Sequence, residues 1–463
     1  MLLKNYNKHF FIAWILMLSG CSTVKPKVSE NASCAWKPVK TQAFHCDVDK
    51  PLFNFEGRYS LPALLELGIS RNPQTRSAWW HAKRVLAQEG RAQSQFFPSI
   101  TGEMDITRNQ VGATNVTSKK VDQWGPALNV SYRLFQFGAG IADAKRAACA
   151  LAAANYNHNF ALQTLVFNVQ KAYYNYASAV AAIEAQKSSL EDAEISFEAA
   201  QNKMAHGLAR IQDVLLAKAE KLQAQYALQA AQATLESCKA DLALAVGLPI
   251  SEEFQVEVEL KNVVELTGEV NDLMENALQK RADLLAAEAT TRASDWENEK
   301  TKKEALPSVY LSGSIGTLRH RHWNHWQHNY NVGIGVSWNL FDGFDKQYKA
   351  MESYAVRKEQ RYAFRSQQLQ VLRDVWSSFH AFQSSIQLLD SAKALEEASQ
   401  ETLSAIRIGY DAGLNNLLDV LSAQKTLSEA RLKRIKSQSD LAVNWAQLAY
   451  VSGQLDTTRF ELL

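Results

Sequence analysis

The sequence contains little that would support catalysis or metal binding. Its 463 residues include nine prolines, twenty glycines and five cysteines, and the formal net charge is only +2. So small a charge gives no reason to expect a nucleic acid or an acidic polymer as partner. The cysteines lack the spacing of a zinc site, and no phosphate-binding loop, nucleophile constellation or clustered acid–base pair occurs. The sequence therefore predicts neither an enzyme nor a bound cofactor.

Long apolar runs are also absent, except at the N-terminus. No segment after residue 20 has the 18 consecutive apolar residues that a transmembrane helix needs. The exception, residues 10–18, is too short to cross a membrane and follows Lys4 and Lys8. A basic start, a short apolar run and small residues before a cleavage site are typical of a secretory signal peptide, which we place at residues 1–20.

The signal peptide ends in Leu18-Ser19-Gly20-Cys21, which resembles the bacterial lipobox at all four positions. In lipobox proteins the cysteine is diacylated and becomes the mature N-terminus, and a following residue other than aspartate, here Ser22, favours the outer membrane. We therefore expect lipidation at Cys21 and a lipidated linker over residues 21–59. The alternative is an ordinary signal peptide that happens to contain a cysteine.

The other four cysteines form two groups. Cys34 and Cys46 lie in a polar stretch, and in an oxidising periplasm they could close a loop of about 12 residues, worth about 3 kcal/mol. Two free thiols fit the sequence equally well. Cys149 and Cys238 lie in helical segments and are expected to be buried. Their heights along the helical hairpin differ by about 40 Å, so they cannot pair.

The same pattern occurs twice in the chain. The phrase GLARIQDVL at 207–215 returns as GLNNLLDVL at 413–421, an offset of 206 residues, and Leu134-Phe135 returns as Leu340-Phe341 at the same offset. Near the start of each copy the offset drifts to 209 or 210. The period is too long for a solenoid, so one unit is duplicated. We expect a first repeat at 60–248, a linker at 249–269, a second repeat at 270–455 and a tail at 456–463.

Each repeat contains one very long predicted helix. Residues 141–206 and 344–408 contain neither glycine nor proline, and each stretch could form a helix of about 100 Å. Apolar residues recur in both at alternating steps of four and three, which is typical of a coiled coil. The first seam contains Leu162, Val166, Val169, Tyr173, Tyr176, Val180 and Ile183, and the second contains Leu372, Val375, Phe379, Phe382, Ile386 and Leu389. Shorter helical runs at 213–246 and 419–451 fold back as antiparallel hairpins that turn at Gly207 and Gly413.

Four strands are predicted ahead of the long helices, at about 98–108, 123–134, 307–319 and 330–341. In the last of them Val332, Ile334 and Val336 alternate with Asn331 and Gly333, which gives one apolar and one polar face. Strands of about ten residues that end in aromatics, in an exported chain, are typical of a transmembrane β-barrel. The alternative is an ordinary sheet packed on a core.

Four strands cannot close a barrel, because closure needs about eight. An open sheet edge in lipid leaves backbone groups unsatisfied, at several kcal/mol for each group. Two copies would give eight strands and an interior filled by side chains, whereas three give twelve strands and room for a passage. The fold class that we expect is mixed α and β: a homotrimer with a 12-stranded barrel, continued by long antiparallel coiled-coil helices.

These features together resemble the TolC-type outer-membrane efflux protein family, over nearly the whole mature chain from Tyr59 to Leu455. The matching pieces are the opening SLPALLELGISRNP at 60–73, FPS at 97–99, LFQFG and LFDG at the strand exits, and the twinned G-x5-D-V phrase. Each piece is weak alone, but their order and their duplicated spacing are specific. The lipidated N-terminus resembles the branch that serves drug or metal efflux pumps.

The resemblance implies a passive duct in the outer membrane, with a helical tunnel that crosses the periplasm to a periplasmic adaptor (a membrane fusion protein) and an inner-membrane pump. Its cargo would be small molecules such as drugs, toxic compounds or metal ions. One alternative is the outer-membrane channel of a type I protein secretion system. Another is a lipid-anchored coiled-coil scaffold or adhesin without a pore, which would not explain four alternating strands.

The resemblance also implies a periplasmic gate at the turns. Asp213 and Asp419 match acidic positions that line the family's entrance, and Tyr410 matches a gating tyrosine that could reach across to Asp213. Asn415 stands where the best-known member has an arginine, and Ser422 replaces a second aspartate. We therefore expect a closure with fewer ion pairs and a weaker preference for cations. The alternative for both aspartates is a favourable position near a helix N-terminus.

The faces that flank the two turns resemble the family's docking surface for adaptor hairpins. The candidate residues beside the turns at Gly207 and Gly413 are Leu215, Ala219, Leu222, Leu421, Ala423 and Leu427. The alternative for each of them is packing within the trimer.

A histidine-rich tract joins the third and fourth strands and contains His320, His322, His325 and His328. Imidazoles at such spacing can bind Zn²⁺ or Cu²⁺, but tryptophan with polar neighbours is also normal at the rim of a barrel. We expect the rim rather than a metal site. Calorimetry with Zn²⁺ distinguishes the two interpretations, because only a metal site gives a saturable heat of binding.

Overall fold

The structure is a computed structural model that describes residues 28–29, 31–34, 36, 58–113, 116–249, 255–258, 269–320 and 326–455. The predicted signal peptide, the lipidation site Cys21 and the tail at 456–463 lie outside the described residues. Among the helices within these ranges, none is both long and apolar enough to cross a membrane.

The described chain is a mixture of α-helices and β-strands, as predicted. The first repeat contains β1 (Arg58–Tyr59), α1 (Leu61–Arg71), α2 (Pro73–Ser94), β2 (Ser99–Ala113), β3 (Val116–Phe135), α3 (Ala139–Ala205) and α4 (Ile211–Val246). The second contains β4 (Gln255–Val256), α5 (Val270–Lys280), α6 (Ala282–Glu304), β5 (Ser308–His320), β6 (Gln327–Ser337), α7 (Asp345–Asp411) and α8 (Leu417–Val451). Helices α3 and α7 both have 67 residues, and their ends are related by the offset of 206.

Three strands differ by several residues from their predicted bounds. The hairpin of β2 and β3 is longer than expected, because backbone pairing continues where the apolar alternation ends. There the guanidinium of Arg108 and the carboxylate of Asp122 form an ion pair across the strands at 2.6 Å. Strand β6 runs from Gln327 to Ser337 instead of over 330–341, and the chain then turns through Gly343 and Phe344, both at positive φ, before α7 begins.

The sheet of β2, β3, β5 and β6 is antiparallel and has that strand order. Its register places apolar residues beside each other on one face, such as Leu128 opposite Ile315, and small polar residues on the other, such as Ser131 opposite Ser312. The apolar face is bare in the single chain, where Ile106 is 80% exposed and Val332 is 75% exposed. Among the described elements no helix lies along the sheet, so it is not the outer layer of a core.

The helices form two antiparallel hairpins, α3 with α4 and α7 with α8, and α8 also packs against α3. The predicted seam of α3 is largely buried, with Leu162, Val166 and Val169 at most 1% exposed. The seam of α7 is less covered: Val375 and Phe382 are buried, whereas Ile386 is exposed. Helix α7 therefore forms one edge of the subunit and α4 forms the other.

The beginning of each repeat packs tightly against the end of the same repeat, at a junction formed by the start of one helix and the end of another. The side-chain oxygen of Asn72 accepts the backbone N–H of Gln74 at 2.8 Å and so caps α2, while its Nδ2 donates to the carbonyl of Ala245 at 2.9 Å. Gly247 ends α4 with φ +84°, and a Cβ there would lie 3.0 Å from the Cα of Asn72. The equivalent Gly453 approaches Arg281 in the second repeat in the same way.

The N-terminal residues 28–36, as far as they are described, lie on α2 and α3. Val28 is buried in a cluster with Val85 and Leu151. His158 Nε2 donates to the carbonyl of Ala32 at 2.9 Å, and its Nδ1 lies 3.4 Å from the hydroxyl of Ser29. Burial lowers the pKa of His158, because the charged imidazolium would lose its hydration. The segment is therefore attached through a neutral histidine.

The described cysteines agree with the prediction that Cys149 and Cys238 do not pair. Both are free and half-buried, and burial raises the pKa of both thiols. Cys34 is disulfide-bonded. Its predicted partner, Cys46, lies outside the described residues.

We expect Gly247→Ala to destabilise the fold more than Gly207→Ala. Both glycines have positive φ, which costs an alanine about 1–2 kcal/mol. Only at Gly247 does the added Cβ meet backbone, so this variant should lose roughly a further 1–3 kcal/mol from overpacking. Urea unfolding in detergent, followed by helical circular dichroism, measures the free energy of unfolding of both variants. Equal losses of unfolding free energy in the two variants would show that the backbone near Asn72 adjusts to the added methyl group without loss of stability.

We expect the attachment of residues 28–36 to weaken as the pH falls. The pKa of His158 is lowered in the folded chain, so its contribution is fully present above the ordinary value near 6.5 and is lost as the pH falls through the lowered value. Amide hydrogen exchange of residues 28–36 between pH 7.5 and 5 measures this change. His158→Gln removes the titrating group, and a pH response that persisted in this variant would contradict the assignment.

Candidate functional site

The candidate site consists of the two hairpin tips, residues 203–216 and 409–422. Gly207 and Gly413 have φ of +73° and +77°, a conformation that glycine adopts readily. The backbone N–H of Leu208 donates to the carbonyl of Lys203 at 2.8 Å, and that of Leu414 donates to the carbonyl of Gly409 at 2.7 Å. The turns therefore lie where the repeated phrase predicts them, and they satisfy the last carbonyls of α3 and α7.

Asp213 and Asp419 cap the helices that follow the turns. The carboxylate of Asp213 accepts the backbone N–H of Arg210 at 3.0 Å, and that of Asp419 accepts the backbone N–H of Asn416 at 3.0 Å. The side chain of Asn416 accepts the N–H of Asp419 in return, at 2.9 Å. Caps of this kind contribute about 1 kcal/mol each. The helix-terminus interpretation therefore has a structural basis, and a ring of carboxylates stays a prediction about the assembled protein.

Tyr410 does not bond to Asp213 within the subunit. Both residues are described, and they share no hydrogen bond. The tyrosine ring instead packs against the cluster that contains Val214 and Leu417, and the Lys203 ammonium lies 3.7 Å from the ring centroid. The prediction that Tyr410 reaches Asp213 is thus wrong inside one chain, because the ring is held by apolar and cation–π contacts between α3 and α7.

Asn415 occupies a position that the sequence did not explain. It is half-buried against Gly409, where a Cβ would lie 2.0 Å from the Asn415 side-chain oxygen. Gly409 is buried within the last turn of α7, and its lack of a side chain makes room for Asn415. A glycine just before a helix end was the available signal, and sequence reasoning missed it.

The two predicted docking faces differ in accessibility. Leu215, Ala219 and Leu222 are exposed, so their role in docking stays a prediction. Leu421, Ala423 and Leu427 are at most 7% exposed. The prediction of a docking role is wrong for these three, because Leu421 packs in the tip cluster with Val214 while Ala423 and Leu427 pack on Leu403.

Sequence analysis also missed a polar contact region between α3 and α8, which we call the α3–α8 seam. Its hydrogen bonds join Ser189 to Ser428 at 2.9 Å and Ser196 to Gln424 at 3.0 Å. Gln424 also donates to the carbonyl of Asp192 at 3.3 Å. The seam therefore ties the second hairpin to the first through hydrogen bonds between uncharged groups.

One ion pair lies near this seam, between α3 and α7. A guanidinium nitrogen of Arg407 lies 2.7 Å from the carboxylate of Asp192, which connects the end of α7 to α3. The offset of 206 relates these residues to Gln201 and Ala398, neither of which is charged. A charged residue that breaks the repeat was the signal that could have identified the pair.

The histidine-rich tract is only partly described. His320 ends β5 and His328 lies in β6, whereas His322 and His325 lie outside the described residues. The rings of Trp124 and Trp326 meet edge to face at 4.8 Å, and the rim interpretation stays a prediction. No group of metal-ligating side chains occurs in the part of the chain that the structure covers.

Comparison with known families gives one match that covers most of the chain. The family described as "Outer membrane efflux protein" matches residues 64–248 and 273–454, which correspond closely to the two repeats. The family comprises outer-membrane channel components and is not a family of enzymes.

Curated relatives and solved structures agree with this match. Protein CyaE of Bordetella pertussis is 24% identical over 410 residues, which are 84% of this chain and 83% of CyaE. The alkaline protease secretion protein AprF of Pseudomonas aeruginosa is 24% identical over 370 residues, 78% of this chain and 76% of AprF. The CmeC outer membrane channel of Campylobacter jejuni has the same fold, with a TM-score of 0.78 and 16% identity over 92% of this chain and 96% of CmeC. The chain therefore belongs to the outer membrane efflux protein family.

Proposed function

We propose that three copies of this chain form a passive duct through the outer membrane that exports small molecules such as drugs, toxic compounds or metal ions. The observation that carries the proposal is the four-stranded sheet. One of its faces is apolar and exposed, and its outer strands β2 and β6 have no second partner strand among the described residues. An apolar face suits lipid, but unpaired backbone groups do not, so the two edges need another copy.

The internal repeat supports a closed ring. In the chain, β3, the second long strand of the first repeat, pairs with β5, the first long strand of the second, with Leu128 opposite Ile315. Applied between copies, the same pairing would put β6 of one copy beside β2 of the next, with Ile334 opposite Ile106. Ile334 is 206 residues after Leu128, and Ile106 is 209 residues before Ile315. A head-to-tail contact that repeats with a rotation about one axis would close into a ring. Three chains would give twelve strands.

The long helices and a lipid anchor complete the proposed assembly. Each of the long helices α3 and α7 extends about 100 Å from the sheet, which is long enough for a tunnel into the periplasm. A periplasmic adaptor and an inner-membrane pump would bind at the hairpin tips. The lipobox supports acylation at Cys21, which would add a lipid anchor in the same membrane.

Export of polypeptides is a second candidate function. The relative AprF is named for secretion of an alkaline protease, and it matches 78% of this chain. The duct would be the same in both cases, because an attached pump selects the cargo. A scaffold or adhesin without a pore is disfavoured by the family to which the chain belongs.

We also propose that Asp213 and Asp419 have two roles, as helix caps and as a source of negative potential at the entrance. A trimer would hold six of these carboxylates. Their field would favour cations, and the nearby Lys203 and Arg407 would weaken that preference.

We expect Ile334→Arg to prevent assembly in the membrane and Asn331→Arg to permit it. Ile334 lies on the apolar face, where an arginine at the bilayer midplane costs about 2–4 kcal/mol for each copy. Asn331 lies on the opposite face, where an arginine would only alter the conductance. Light scattering in detergent measures the mass of the assembly that each variant forms. Single-channel recording in planar bilayers measures its conductance. If the wild-type protein were a monomer, or a trimer without conductance, the proposed duct would be contradicted. Mass spectrometry of the same sample shows whether the N-terminus is acylated.

We expect Asp419→Asn to lower the cation preference by about two-fold. Three lost charges at about 10 Å each contribute a few tenths of a kcal/mol after screening. The amide keeps an oxygen that can cap α8, so the stability should change little. Reversal potentials in a salt gradient measure the preference. Asp440→Asn, exposed and far along α8, is the control, and an unchanged preference in Asp419→Asn would remove the acidic-ring hypothesis.

A further inference from the structure

The end of the sheet that lies away from the helices has basic and aromatic side chains on its apolar face. Trp124 shares this face with Leu128, and Arg319 shares it with Ile315, because side chains an even number of residues apart along a strand point to the same side. The strand register pairs Trp124 directly with Arg319. We call this end of the apolar face the far rim, and its members are Arg108, Asp122, Trp124, Arg319 and Trp326.

The side chains of the far rim contact one another. The rings of Trp124 and Trp326 meet edge to face, and the guanidinium carbon of Arg319 lies 5.9 Å from the centroid of the Trp326 ring, within the range of a cation–π contact. Arg108 donates to both carboxylate oxygens of Asp122, at 2.6 and 2.9 Å, which uses two of the five N–H donors of its guanidinium. In the part of the chain that the structure describes, Arg319 takes part in no ion pair. Both guanidinium groups therefore have donors to offer to a further anion.

The positive charge of the sequence is concentrated at the same end. Residues 108–122, which connect β2 to β3, include three basic residues and one acidic residue. Residues 319–328, which connect β5 to β6, include two basic residues and no acidic one. The two stretches together have a net charge of +4, whereas the whole chain has a net charge of +2. The excess of positive charge thus lies at the far rim, and three copies would triple it there.

The far rim is separated from the helices by the height of one lipid layer. At the helix end of the sheet Val309 pairs with Val336, and Arg319 follows Val309 by ten residues. Ten residues of a strand span about 33 Å, which a tilt of about 40° reduces to a height of about 25 Å. The apolar band of an outer-membrane barrel is also about 25 Å tall, and aromatic residues flank it at both interfaces. Arg319 therefore lies at the level of the lipid headgroups.

The two ends of the apolar face differ in charge. At the helix end this face contains uncharged residues such as Val309 and Val336. Arg133 is also at that end, but it lies on the opposite, polar face and donates to the side-chain oxygen of Gln136 at 3.0 Å. An anionic lipid would therefore find arginines on the lipid-facing side of the sheet at the far rim and not at the helix end.

We propose that the far rim binds the phosphate groups of an anionic glycolipid in the outer leaflet of the membrane. The inference rests on the proposed function, in which the helices lie in the periplasm and the far rim faces the exterior. Arginine binds phosphate through parallel N–H donors, and Trp326 holds the guanidinium of Arg319 at the surface of the sheet. Because these groups lie on the lipid-facing side and not in the passage, their ligand is a membrane lipid and not cargo in transit.

Native mass spectrometry of the full-length protein in detergent tests this site. The probe is bisphosphorylated lipid A, added with EDTA at pH 8, so that divalent cations cannot bridge and the histidines are neutral. We expect the wild-type protein to bind this lipid much more tightly than its dephosphorylated form. Arg319→Gln should weaken the binding roughly ten-fold, because charge-assisted hydrogen bonds are lost. Arg319→Lys keeps the charge and should lose less.

Arg133→Gln is the matched control, since it removes a guanidinium from the other end of the same sheet. Equal weakening in Arg133→Gln and Arg319→Gln, or equally tight binding of the dephosphorylated lipid, would overturn the site. Displacement of lipid A by millimolar inorganic phosphate would also overturn it, because the site would then be one for a free anion. Light scattering of the same samples separates this inference from the duct. A trimer that does not prefer the phosphorylated lipid overturns the lipid site alone, whereas a monomer overturns both.

Discussion

The structure depends on the two unpaired edges of its sheet. Within the part of the chain that the structure describes, the outer edges of β2 and β6 each present a row of backbone donors and acceptors without a partner strand, beside a face of isoleucine, valine and leucine side chains. Water could satisfy the edges but not the face, and lipid could satisfy the face but not the edges. Only further strands of the same kind satisfy both. The proposed ring, its passage and its place in the outer membrane all follow from this constraint.

Duplication explains how one chain can provide both sides of such a contact. The long helices match at an offset of 206 residues along their whole length, and the turns, the glycine helix ends and the capping aspartates repeat with them. A unit that already packs on its own copy within the chain has a surface that fits another copy outside it. The contacts seen between the two repeats therefore supply a template for the contacts between subunits.

The sequence predicted the positions of the helices and strands much better than the contacts between them. The absence of glycine and proline located α3 and α7 to within three residues, because a breaker or its absence acts locally. Periodicity identified an apolar face at Leu421 and at Leu215, yet one leucine is buried in the chain and the other is exposed. A pattern shows that a face is covered but not by which helix. The contact of Tyr410 with Lys203 and the pair of Arg407 with Asp192 depend on packing between helices that are about 200 residues apart in the chain.

The ion pair between α3 and α7 has a thermodynamic consequence. The attraction between Arg407 and Asp192 weakens as salt rises, whereas the leucine contacts of the tip cluster strengthen in salting-out solutions and weaken on cooling. Ionic strength and temperature therefore act on different contacts between the two hairpins. Added salt would loosen the ion pair, and cooling would loosen the apolar contacts.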